Sequence, residues 1–170
     1  MKFLALFAVP FALVCALGDP VLSAPVPKHL MKGEDPELQK LQGEWNLTAV
    51  SLGGAEIDMS RHNAGSGLEV RGDTLIVTAG QQNQRTTATF RLDTKAQPAR
   101  ITWQQARVTD LNGGPVKDDD AEKPCVMLYK FEAGKLVLAA RSGNQEQAPR
   151  GFDNKNEPEV VLLTFTRVQK

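Results

Sequence analysis

The segment Asp35-Pro36-Glu37-Leu38-Gln39-Lys40-Leu41-Gln42-Gly43-Glu44-Trp45 constrains this chain more than any other. Asp35 is a good N-cap, and Pro36 stands where the first helical turn needs no N–H donor. Leu38 and Leu41 share a face at i, i+3, and Gly43 supplies the stop. Glu44 and Trp45 then open a strand with no linker between. A helix this short has no stability of its own. Its leucines must pack on something, and the end of a small β-barrel is the simplest partner.

From Glu44 the apolar residues repeat with period two. Strands are expected over 44–52, 68–71, 74–79, 85–92, about 100–105, 125–132, 135–141 and 160–168. Trp45, Leu47 and Ala49 share one face of the first, and Ile101 and Trp103 one face of the fifth. Ala88, Phe90 and Leu92 alternate with Thr87, Thr89 and Arg91. Gly53-Gly54, Gly72-Asp73 and Ala133-Gly134 read as tight turns. The polar stretches 59–67, 106–124 and 142–158 read as loops. Short strands without βαβ spacing predict an all-β fold: one small antiparallel up-and-down barrel of about eight strands with a short N-terminal helix. A β-sandwich is the alternative. Closure as a barrel makes the first and last strands antiparallel neighbours and removes exposed edges. It places Trp45, at the start of the first strand, beside Arg167, at the end of the last. Arg167 shares parity with Leu163 and Phe165, and a guanidinium stacked on an indole is worth about 0.5–2 kcal/mol.

The chain begins outside this pattern. Lys2 followed by the apolar run Phe3–Leu17 reads as a signal peptide over 1–24, too short to span a bilayer. Small residues allow cleavage after Gly18 or after Ser23. Residues 25–34 read as a flexible leader and 35–170 as the barrel domain. The expected location is exported, periplasmic or extracellular, with no membrane insertion after cleavage. Cys15 falls inside the signal segment, and its neighbours Ala12-Leu13-Val14 do not fit a lipoprotein site. Cys125 is then the one thiol of the mature chain, and no internal disulfide is available.

Lys+Arg and Asp+Glu each number 20. A neutral balance with scattered basic residues gives no reason to expect nucleic acid as a partner. His29 and His62 are too few for a metal site, and none is expected. Asp118-Asp119-Asp120-Ala121-Glu122 is acidic, but Lys123 stands where a calcium loop of the EF-hand type needs its glycine. Cys125 has no base near it in sequence. Arg71-Gly72-Asp73 is explained by its hairpin turn, and the sequon Asn46-Leu47-Thr48 lies inside a strand. No acid–base or nucleophile pair emerges, so the reading is not an enzyme and needs no cofactor.

The Gly43-x-Trp45 pair with Arg167 resembles the signature of the lipocalin-like superfamily. More closely, the chain resembles an uncharacterised lipocalin-like domain family found mainly in planctomycete bacteria. Leu41-Gln42-Gly43-Glu44-Trp45 is similar to its opening, Phe90-Arg91-Leu92-Asp93 with Pro98 to its central segment, and Tyr129 through Leu138 to its tyrosine hairpin. Pro149 and Phe152 match its motif before the last strand, where Ala148 replaces an arginine. The resemblance covers about residues 38–168 and implies a barrel and export, without an activity.

Two functions follow. The barrel is expected to hold a small apolar molecule, lined by Leu47, Phe90, Trp103, Tyr129, Leu138 and Phe165, with Trp45 and Arg167 closing one end. Alternatively, its interior is filled, and the loops 106–124 and 142–158 meet another exported protein.

Overall fold

The computed structural model describes residues 35–61, 65–117, 123–142 and 145–169. The signal segment, the leader, Cys15, His29, His62 and the acidic run 118–122 lie outside them. Helix α1 (Pro36–Leu41) is followed by nine strands: β1 (Gly43–Leu52), β2 (Ala55–Asp58), β3 (Gly67–Arg71), β4 (Thr74–Ala79), β5 (Gln84–Asp93), β6 (Arg100–Asp110), β7 (Cys125–Glu132), β8 (Lys135–Arg141) and β9 (Val160–Arg167). All pair antiparallel. β3 to β9 pair in chain order, and β1 pairs with both β3 and β9, so eight strands form a closed barrel. β2 is the ninth, a short hairpin arm on the second half of β1.

The β3–β4, β5–β6 and β7–β8 turns gather at the end where α1 sits, here the closed end. The opposite end carries the longer connections.

Two bulges shape the wall, and both change the expected strand faces. Leu47 pairs with Phe165 but Ala49 pairs with Thr164, so Thr48 is an extra residue in β1. Its hydroxyl donates to the Thr164 carbonyl at 3.1 Å. Beyond it the face inverts: Val50, not Ala49, lies opposite the inward Leu163. In β6, Thr87 pairs with Arg107 and Thr89 with Gln104. Gln105 takes a left-handed φ of 53°, the geometry of a bulge. The face inverts again, so that Ile101 and Trp103 point inward before it and Val108 after it. The strand therefore continues to Asp110, where a loop from 106 was expected.

Inward residues form the core: Leu41, Trp45, Leu68, Val70, Leu75, Phe90, Ile101, Cys125, Met127, Tyr129, Leu136, Leu138 and Phe165 are all buried. A second, smaller core lies on the outside of the wall. Leu128, Ala139 and Val160 face outward yet are buried beneath Ala148, Phe152 and Leu162. Residues 145–159 are tied down over this face. The Gln145 carbonyl accepts from Val126 N at 2.8 Å, Asn154 donates to Ser51 Oγ at 2.9 Å, and Arg141 pairs with Glu157 and Glu159 at 2.8 and 2.9 Å. The segment expected to be free for a partner is, over its described part, packed on its own barrel.

Cys125 is 2% exposed and unpaired. Burial pushes its thiol from 9.0 up to about 12. The folded chain thus keeps a proton that the unfolded chain releases near pH 9. Its contribution to stability is complete below that pH and is lost as pH rises toward 12, by up to about 1.4 kcal/mol per pH unit. Urea unfolding at pH 8 and pH 10.5 should show a lower midpoint at the higher pH, with a smaller difference in Cys125→Val. Equal pH dependence in both proteins would contradict this.

Candidate functional site

Trp45 and Arg167 are direct partners across β1 and β9. The Arg167 guanidinium carbon stands 4.3 Å from the centre of the indole ring. Its Nη1 donates to the Gln42 carbonyl at 2.6 Å, and its Nη2 donates to the Lys40 carbonyl. One side chain therefore stacks on the first strand and caps the C-terminus of α1, where the helix dipole favours a cation. Trp45 is buried, and its Nε1 donates to the Leu41 carbonyl at 2.9 Å.

Each neighbouring residue has a matching role. Leu41 is 1% exposed and plugs the barrel end. The Gln42 amide donates to the Gly72 carbonyl at 3.1 Å and accepts from Gly72 N at 2.7 Å, joining α1 to the β3–β4 turn. Gly43 has φ +110°, and a Cβ there would lie 3.1 Å from Arg167 Nη1. Asp35 caps the helix by accepting from Glu37 N at 3.0 Å. Beneath this plug, Phe131 lies 6.1 Å from Trp45 and 6.3 Å from Tyr129, ring centre to ring centre.

All six expected lining residues belong to the inner core. Phe90, Tyr129, Leu138 and Phe165 are buried; Leu47 and Trp103 are partly buried against them. Sequence parity placed them on the inward face but did not grade their access to water. The burial is uneven at both ends: near α1 Leu92 and Phe131 are only partly buried, and toward the open end Cys125 and Val108 are buried. Toward α1 the inward Leu75, Ile101, Leu136 and Phe165 are buried. Toward the open end, Leu47, Val77, Trp103, Ala140 and Leu163 are only partly buried, as are Val50, Thr86 and Val161. These residues point inward by register and keep part of their surface exposed. Leu163, which faces Leu138 and Val50, was missed; its parity with Phe165 was the available signal. Leu47 also borders a hollow of about 270 Å³ beside Ser60, Ser66 and Thr166.

The other motif residues hold the fold. The Asp93 carboxylate accepts from Lys95 N and Ala96 N at 3.2 and 3.1 Å in the β5–β6 turn. Gly72, with φ +58°, makes the Arg71-Gly72-Asp73 turn. Phe152 packs on the outer core, and Pro149 is buried nearby. Among the described residues, no three His, Cys, Asp or Glu side chains come together as a metal site. No protein-family profile, curated protein or solved structure matches this chain.

Gly43→Ala tests the closure. It forces a side chain into a left-handed φ and against Arg167, at a cost of about 1–3 kcal/mol. Gly53→Ala, also at positive φ but with open space around it, should cost less. Equal losses by urea denaturation would show that the Arg167 contact adds nothing.

Proposed function

We propose that this chain is an exported binding module that holds a small apolar molecule in the open half of its barrel. The observation that carries this reading is the graded burial of the inward face. Leu75, Ile101, Leu136 and Phe165 are buried in the half under α1, where Leu92 and Phe131 are partly buried, while Leu47, Val77, Trp103, Ala140 and Leu163 of the open half are all only partly buried. An eight-stranded barrel is wide enough for side chains to fill it or for one small ligand. The inward residues of the open half are mostly apolar, with Thr86, Cys125 and the Trp103 indole among them and with Gln84 and Asp110 at the rim by strand parity; the thiol stays protonated. Nothing there would compensate a buried charge, so the bound body is uncharged. A charged head, if the molecule has one, stays at the opening.

The signal-like start at Lys2 and Phe3–Leu17 supports export. The structural jobs of Leu41, Gln42, Gly43, Trp45 and Arg167 fit the lipocalin-like resemblance; membership of the planctomycete domain family rests on the motif resemblance alone. Shared architecture does not supply a ligand. The reading in which the long loops recruit another protein is weaker, because residues 145–159 are engaged with the barrel wall.

A fluorescent polyene fatty acid tests the proposal. It should bind saturably at one site and quench Trp103. Leu163→Arg should weaken it by about tenfold or more, equivalent to about 1.4 kcal/mol, while leaving the far-ultraviolet circular dichroism unchanged. No saturable binding, or the same affinity in a folded Leu163→Arg protein, would overturn it.

A further inference from the structure

Asn46-Leu47-Thr48 is the single N-x-[ST] sequon of the chain, the acceptor pattern for an N-linked glycan in an exported protein. Glu44 stands two residues before the asparagine. One class of bacterial oligosaccharyltransferase also reads an acid at that position, where a carboxylate can pair with a cationic side chain of the enzyme. The sequon lies inside β1, and a strand is closed to an enzyme only once both of its edges are paired.

In the folded barrel Asn46 faces outward between the inward Trp45 and Leu47, and it is exposed. Its side-chain amide has no hydrogen-bond partner among the described residues. It stands where β1 changes partners: Asn46 pairs with Gly67 of β3, and from Ala49 onward the same edge pairs with β2. Gly67 presents no side chain to it. Two hollows, of about 230 and 270 Å³, border Asn46 along this seam. The hydroxyls of Thr48, Ser60, Ser66 and Thr166 line the larger one and Thr78 the other. The first sugar of a glycan on Asn46 therefore has open space outside the wall, with donors and acceptors for its own hydroxyls.

The finished barrel closes the sequon late. The Thr48 hydroxyl, which a transferase must hold, donates to the Thr164 carbonyl, 116 residues further along the chain. β9 is the last strand to be made. Until it arrives, β1 has only β2 and the end of β3 as partners, and so small a piece of sheet is marginal. We propose that Asn46 is an N-glycosylation site, modified during export before β9 closes the barrel. The donor is a glycan linked to a polyprenyl pyrophosphate. Asn46 Nδ2 bonds to the anomeric carbon of the glycan as the bond from that carbon to the pyrophosphate oxygen breaks. The amide gives up one proton, and polyprenyl pyrophosphate leaves with the bonding pair. The inference rests on the export part of the proposed function and not on any ligand in the barrel.

Mass spectrometry of the chain exported by its source organism tests this, on the intact protein and on the peptide that holds Asn46. The expected result is a chain without its signal segment that carries a glycan on Asn46. The glycan should be lost in Asn46→Gln, Thr48→Ala and Glu44→Gln and kept in Thr48→Ser. Given the transferase and its donor, the folded unmodified protein should take up no glycan, while a peptide of residues 42–50 is modified. A chain that is cleaved but bare at Asn46 would overturn the glycan and leave export standing. A chain that keeps Met1 and the signal segment would overturn export and the glycan with it. Modification that survives Thr48→Ala or Glu44→Gln, or that proceeds equally on the folded protein and the peptide, would also overturn the proposal.

Discussion

The contact of Arg167 with Trp45 and α1 is the constraint on which the rest of this molecule depends. The two residues are far apart in sequence, yet the guanidinium bonds the Lys40 and Gln42 carbonyls and covers the indole. Three elements meet in it: the helix, the first strand and the last. A six-residue helix cannot persist alone, so α1 exists because the barrel end receives Leu38 and Leu41 and because Arg167 and Gln42 satisfy or anchor its final turn. In return the helix shields Trp45 from water. Arg167 is itself exposed, so its stacking sits toward the weak end of the scale, near 0.5–1 kcal/mol. Its weight lies in joining three elements at one point.

With one end plugged, the barrel divides along its axis. Aromatic rings fill the closed half, and the bulges at Thr48 and Gln105 reverse the faces of β1 and β6 on opposite sides of the wall. Downstream of each bulge the inward positions belong to smaller residues, Val50 in β1 and Val108 in β6. The outer core under residues 145–159 braces β7, β8 and β9 from outside. The wall is thus packed on both of its faces.

Much of this was legible in the sequence, for definable reasons. Asp35-Pro36 and Gly43 announce a short helix by capping chemistry, clean alternation announces β5, and short apolar, β-branched or aromatic runs bounded by turns announce β4, β7, β8 and β9. The pairing of Trp45 with Arg167 followed from closure, from their inward parity at matching ends of the first and last strands, and from the lipocalin-like resemblance. β2 was not legible because Ala55-Glu56-Ile57-Asp58 is exposed throughout and carries no buried face to set a period. The end of β6 was hidden by Gln105, whose bulge breaks the alternation that defines a strand. Ala49 was assigned to the wrong face for the same reason at Thr48. The six lining residues were recognisable by parity, but their unequal burial depends on what plugs each end.

A double-mutant cycle on Trp45 and Arg167 tests the central claim most directly. Trp45→Ala should cost about 3–5 kcal/mol as the loss of a core aromatic, and Arg167→Ala about 1–2 kcal/mol. If the guanidinium closes the barrel through the indole, the two losses are non-additive by about 0.5–3 kcal/mol in urea unfolding. Additive losses, within about 0.3 kcal/mol, would mean that Arg167 does not act through Trp45 and that the barrel is closed by other means.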